Sequence, residues 1–116
     1  MSQNSQVIGI HDMSSYLDIR ETLNPNQVMI IDFTATWCGP CRRIAPYYDA
    51  LSVKYPEIIF TKVDVDEVPD LAARYQVNAM PTFKFIRNQE VIAEITGANL
   101  NALETLLQKL TVVDQQ

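Results

Sequence analysis

Val28-Met29-Ile30-Ile31-Asp32-Phe33, followed by Thr34-Ala35-Thr36 and then Trp37-Cys38-Gly39-Pro40-Cys41, decides how the chain is read. The first six residues are nearly all apolar. A continuous run of that kind predicts a central strand covered on both faces. Beyond Cys41, Ile44, Tyr48, Leu51 and Tyr55 recur at helical spacing. The two cysteines therefore lie where a buried strand passes into a helix. Pro46 falls inside that helical pattern and is expected to kink it, and Pro56 helps to end it.

Strand-like and helix-like stretches alternate on either side. Upstream, Val7 to Ile10 is a short apolar run. A helix with Tyr16, Ile19 and Leu23 on one face follows, capped by Asp12 or Ser14 and broken by Asn24-Pro25-Asn26. Downstream, Ile58 to Val65 is rich in β-branched residues and reads as a strand. Pro69 opens a short helix through Leu71, Ala72 and Tyr75. Thr82 to Ile86 and Val91 to Thr96 read as two strands joined by a tight turn. Leu100, Leu103, Leu107 and Leu110 form the stripe of a last helix, capped by Asn99 or Asn101. The order β-α-β-α-β-α-β-β-α mixes crossovers with a final hairpin. It predicts an α/β domain, a central sheet with helices on both faces.

At 116 residues the chain is expected to be one domain, 1–116, with polar ends at 1–6 and 114–116 frayed. Apolar residues make up 47%, enough for a core. A net charge of −5 and a pI near 4.6 argue against nucleic acid and against a polybasic membrane role. No apolar stretch approaches the length of a spanning helix. The start, MSQNSQVIGI, lacks the pattern of a signal or transit peptide. The expected setting is a reducing, cytoplasmic one.

Two cysteines in an otherwise cysteine-free chain point to chemistry rather than scaffolding. Side chains at i and i+3 share one side of a helical turn and can bridge. Closing so small a ring leaves a bond easier to reduce than a long-range structural disulfide. Cys38 is expected at the helix start, where free N–H groups and the helix dipole favour a thiolate. Cys41, a turn inside, is expected to be less accessible. Three plainer readings compete. A structural disulfide at this spacing gains little from loop closure. A structural zinc site wants four ligands, and His11 is the lone histidine, in a distant segment. Inert thiols do not account for the strand-to-helix setting, which is what makes the C-x-x-C pair specific.

The segments IIDFTATWCGPCRRIAP, TKVDVDEV, NAMPTFKF and TGAN together resemble thioredoxin, over roughly Val7 to Leu110. The resemblance implies the thioredoxin fold, a central mixed five-stranded sheet flanked by four helices on both faces. It implies a protein-disulfide reductase that needs no bound cofactor or metal and draws electrons from NADPH through thioredoxin reductase. Its partners would be that reductase and diverse protein disulfides, and a monomer is the default. Cys38 would be the nucleophile and Cys41 the resolving thiol. Asp32 matches the family's buried carboxylate and Lys62 its usual neighbour. A carboxylate in an apolar strand is costly without a task or a partner. A raised pKa would suit proton exchange with Cys41, and an ordinary ion pair with Lys62 is the alternative.

Pro81 matches a proline that follows a cis peptide facing the cysteines. The backbone of Met80 would then pair with an extended substrate segment. The alternative is a plain proline at the start of a strand. Trp37, Gly97 and Ala98 match an apolar rim suited to varied protein substrates. Trp37 has a core position as its alternative. Gly39 and Pro40, between the cysteines, resemble the reducing members of the superfamily; oxidising and isomerising members more often carry a histidine there.

The sequence departs from the family in small ways. Thr34 stands where many bacterial relatives have an aromatic residue, and Arg42 replaces a common lysine. Asn88-Gln89 stands where Asn-Gly is frequent. A type I′ turn needs positive φ at both positions, which Gln tolerates poorly, so the turn type is open. His11 reads as a surface side chain, and Tyr47 and Tyr48 as core packing. Asp64, Asp66 and Glu67 read as a solvated strand end rather than a cation site.

Overall fold

The computed structural model describes residues 4–114. Elements follow in the expected order: β1 (Ile8–Ile10), α1 (Met13–Thr22), β2 (Val28–Thr34), α2 (Gly39–Lys54), β3 (Ile59–Asp64), α3 (Pro69–Arg74), β4 (Thr82–Arg87), β5 (Glu90–Thr96) and α4 (Leu100–Asp114). The strands form one sheet in the order β1-β3-β2-β4-β5. β1, β3 and β2 are parallel, and β4 and β5 add antiparallel pairs. β2 is thus the middle strand, as its unbroken apolar run requires.

Alternation along β2 splits the core in two. Val28 and Ile30 face a cluster that includes Ile44, Tyr48 and Leu51 of α2 and Leu103 and Leu107 of α4. Met29, Ile31 and Phe33 face another, with Tyr16 of α1 and Leu71 of α3. Helices therefore cover both faces. Asp32 continues the even-numbered face, toward α2, because side chains alternate along a strand. The direction in which the strand presents its one carboxylate follows from this simple parity.

Local chemistry sets the element ends. Asp12 caps α1 by accepting the Ser15 N–H at 2.7 Å, and Asn99 accepts the Ala102 N–H at 3.0 Å in front of α4. Of the alternatives left open by sequence, these two residues do the capping. Pro46 lies inside α2 without ending it; it lacks the N–H that would bond to the Arg42 carbonyl. Tyr48 is fully buried, and its hydroxyl donates to the Thr61 carbonyl at 2.7 Å, tying α2 to β3.

Two expectations change, and one open question is answered. Ser5 and Gln6 are not frayed: the Ser5 hydroxyl donates to Asp49 Oδ1 and the Gln6 N–H to Ser52 Oγ, both at 2.9 Å. These bonds hold the start of the chain on α2. At the other end α4 runs to Asp114; residues 1–3 and 115–116 lie outside the described residues. Tyr47 does not pack in the core. Adjacent helical residues point about 100° apart, so Tyr48 turns inward while Tyr47 stays 55% exposed. The hairpin turn takes the left-handed conformation at both residues, with φ of 51° at Asn88 and 67° at Gln89.

Candidate active site

Cys38 is the residue that caps α2. Its sulfur accepts the Cys41 N–H at 3.2 Å, and its own N–H donates to the Ala35 carbonyl at 3.2 Å. Pro40 sits in the first turn, where a missing N–H costs nothing. Cys38 and Cys41 are joined in a disulfide with a Cα–Cα separation of 5.3 Å. The expected contrast in exposure is absent from this bonded pair: Cys38 is 5% exposed and Cys41 4%. Both residues lie in one small cluster with Ala35, against which Val65 and Met80 pack. What distinguishes the two sulfurs is position. One receives a helix N–H at the cap, and the other lies within the first turn.

Behind Cys41 a cleft of about 270 Å³ is lined by Asp32, Thr34, Ala35, Thr36, Cys41, Arg42, Ala45, Lys62 and Asp64. Asp32 is buried, and its Oδ1 has no hydrogen-bond partner. Burial pushes its pKa up to about 7; the Lys62 cation pulls against the rise and the Asp49 charge adds to it. Lys62 lies directly across from Asp32 in the β2–β3 register. Its side chain is exposed, and among the described residues no ion pair within 4 Å joins the two. An Asp32–Lys62 salt bridge is therefore not formed. The carboxyl shares its cleft with the inner sulfur instead.

The rim comes from three loops. The Met80–Pro81 peptide is cis, and the Met80 carbonyl oxygen lies 3.7 Å from Cys38 Sγ. The Pro81 carbonyl accepts the Gly97 N–H at 2.8 Å, which ties the second loop to the first. Gly97 has φ of 97°, a conformation that favours glycine, and space around it is open. Ala98 beside it is exposed. Trp37 is 64% exposed, so its core alternative falls away. Its indole N–H donates to Asp66 Oδ2 at 2.9 Å. Asp66 had no signal in the sequence beyond its membership of an acidic strand end. Arg42 is a second residue that sequence did not single out for this role: it donates to the Thr36 carbonyl at 2.7 Å, bracing the turn that carries Trp37.

Residues 15–111 match the Thioredoxin family model. The chain belongs to the thioredoxin family. It is 36% identical to thioredoxin H-type 2 of Nicotiana tabacum, with 94% of this chain and 93% of that one covered. It is 44% identical to thioredoxin-2 of Pyricularia oryzae over 84% of this chain and 57% of that longer one. A crystal structure of a thioredoxin from Nicotiana alata superposes with a TM-score of 0.88 at 36% identity, covering 94% of this chain and 96% of that one. With a bridged Cys38–Cys41 pair in the thioredoxin fold, the protein is a thioredoxin-type dithiol–disulfide oxidoreductase.

The remaining acidic residues near the thioredoxin site have partners of their own. Asp64 Oδ1 accepts the Asp66 N–H at 2.8 Å, and Glu67 pairs with His11 at 2.9 Å. Among the described residues no group of three or more His, Cys, Asp or Glu side chains is placed to hold a metal. No helix among them is long and apolar enough to cross a membrane.

Proposed function

We propose that this thioredoxin works as a reductant of disulfides in protein substrates, with Cys38 as the attacking sulfur. The observation that carries the reading is the capped sulfur. In the reduced protein a Cys38 thiolate would accept the Cys41 N–H at the start of α2, where the helix dipole also favours negative charge. The thiolate attacks one sulfur of a substrate disulfide. A mixed disulfide forms, and the other substrate sulfur leaves as a thiolate. Asp32, with a pKa raised to about 7, takes in its ionised form the proton of the Cys41 thiol through the cleft they share. The Cys41 thiolate then attacks Cys38 Sγ and expels the second substrate sulfur. The products are a substrate dithiol and the Cys38–Cys41 disulfide, so two electrons have passed to the substrate.

In this reading Lys62 modulates the Asp32 charge without pairing with it. Trp37, Gly39, Pro40, Met80, Pro81, Gly97 and Ala98 form the docking rim, and the Met80 backbone aligns an extended segment beside Cys38. Gly-Pro between the cysteines supports the reducing direction. The disulfide is returned to the dithiol by thioredoxin reductase, which draws on NADPH. The protein acts as a monomer in the cytoplasm and holds no cofactor. Insulin reduction with dithiothreitol as the electron source tests this. The wild type is expected to accelerate it; a Cys38→Ser variant that kept the full rate would end the reading.

A further inference from the structure

Two arginines follow the cysteine motif directly, and α2 turns both toward Gly39. A Cβ built on Gly39 would lie 3.3 Å from Arg43 Nη1 and 3.9 Å from Arg42 Nη2. Gly39 is the neighbour of Cys38, so both guanidinium groups hang over the residue next to the attacking sulfur. Both side chains are exposed. Arg42 spends its Nη1 on the Thr36 carbonyl and leaves Nη2 on the Gly39 side. Among the described residues neither arginine pairs with a carboxylate within 4 Å. The carboxylate hydrogen-bonded within the rim, Asp66, is taken up by the Trp37 indole. Gly39 itself puts no side chain between the backbone and the two guanidinium groups.

We infer that Arg42 and Arg43 select substrates: they favour disulfides flanked by aspartate or glutamate in an acidic polypeptide segment. The planar fork of a guanidinium matches a carboxylate in two parallel hydrogen bonds. Chain-wide charge works the other way, since a net −5 repels acidic partners at long range. At physiological salt, charges beyond about 8 Å are largely screened, so the local arginines decide once a segment is seated. The cationic point lies beside Gly39, whereas the backbone pairing surface is at Met80. An acidic residue close to the substrate cysteine can therefore meet the arginines while its backbone lies along the rim.

The inference rests on the thiol-exchange reading above, and the test separates the two. Three disulfide-bonded peptides, identical except for acidic, neutral amide or basic residues flanking one cysteine, serve as substrates. Values of kcat/KM are measured for the wild type, Arg43→Gln and the Arg42→Gln/Arg43→Gln double variant. The wild type is expected to prefer the acidic over the basic peptide by about tenfold, the scale that two exposed charge contacts supply. The preference is expected to shrink in Arg43→Gln, to vanish in the double variant and to weaken with added salt. The neutral peptide is expected to be reduced by Arg43→Gln at a rate within about twofold of the wild type; the double variant, which also loses the Arg42–Thr36 bond, is read only by its ratio of acidic to basic rates. Equal slowing of all three peptides in Arg43→Gln would show that this arginine acts on the cysteines rather than on the substrate, and would overturn the inference. So would an unaltered preference in the double variant, or no preference in the wild type. If the wild type failed to reduce even the neutral peptide, the thiol-exchange reading itself would fall.

Discussion

Replacing Asp32 with asparagine is expected to make the protein more stable in alkaline solution and hardly change it in acid. Asp32 has a folded-state pKa of about 7 against an ordinary 3.8, and burial is the main cause. Below about pH 3 the carboxyl is neutral in both folded and unfolded chains, so it contributes no pH dependence. Between the two values the unfolded chain loses the proton while the folded one keeps it. Wild-type stability therefore falls as pH rises through that window. Each unit costs about 1.4 kcal/mol, so the penalty reaches roughly 4 kcal/mol where both states are ionised, above about pH 8. Asparagine has nearly the same shape and no charge to bury, and Oδ1 has no bond to lose. Urea denaturation of both oxidised proteins at several pH values measures the difference. It is expected to grow from near zero in acid to several kcal/mol in alkali, in favour of Asp32→Asn. A flat difference, or one that favours the wild type as pH rises, would refute the burial argument. The same variant is expected to resolve mixed disulfides slowly, since it lacks a base for the Cys41 proton.

Three smaller changes test other parts of the structure. Tyr48→Phe removes the hydroxyl bonded to the Thr61 carbonyl inside the core, and is expected to cost about 1 kcal/mol in urea denaturation. Gln89→Gly relieves a side chain held at φ 67°, and is expected to raise stability by up to about 1 kcal/mol, less whatever the Arg20–Gln89 hydrogen bond contributes. Trp37→Phe loses the bond to Asp66 and the width of the indole; a KM for insulin raised severalfold, with the thermal midpoint little changed, is the expected signature.

The element order was legible because each signal is local. The apolar run of β2, the leucine stripe of α4 and the prolines at 56 and 69 act over a few residues. The cysteine pair and the buried carboxylate were legible for the same reason: Asp32 stands out in its strand without reference to anything distant. Side-chain partners were not, because they join residues far apart in the chain. Ser5 meets Asp49 across 44 positions, Trp37 meets Asp66 across 29, and His11 meets Glu67 across 56. Tyr47 was misplaced because it shares a helix with the inward-facing Tyr48, and helix phase separates neighbours. The near-equal burial of the two cysteines was not legible because Val65 and Met80, distant in the chain, pack against them. Register decided the fate of Lys62: it stands opposite Asp32 as a neighbour, yet its side chain stays in solvent.

The central claim is that the sulfur at the helix cap attacks first and the one inside the helix finishes the exchange. Single Cys38→Ser and Cys41→Ser variants, each incubated with a disulfide-bonded peptide and then digested for mass spectrometry, address it directly. The account predicts a stable adduct on Cys38 in Cys41→Ser and little or none on Cys41 in Cys38→Ser. Equal adducts on both sulfurs, or an adduct confined to Cys41, would contradict it.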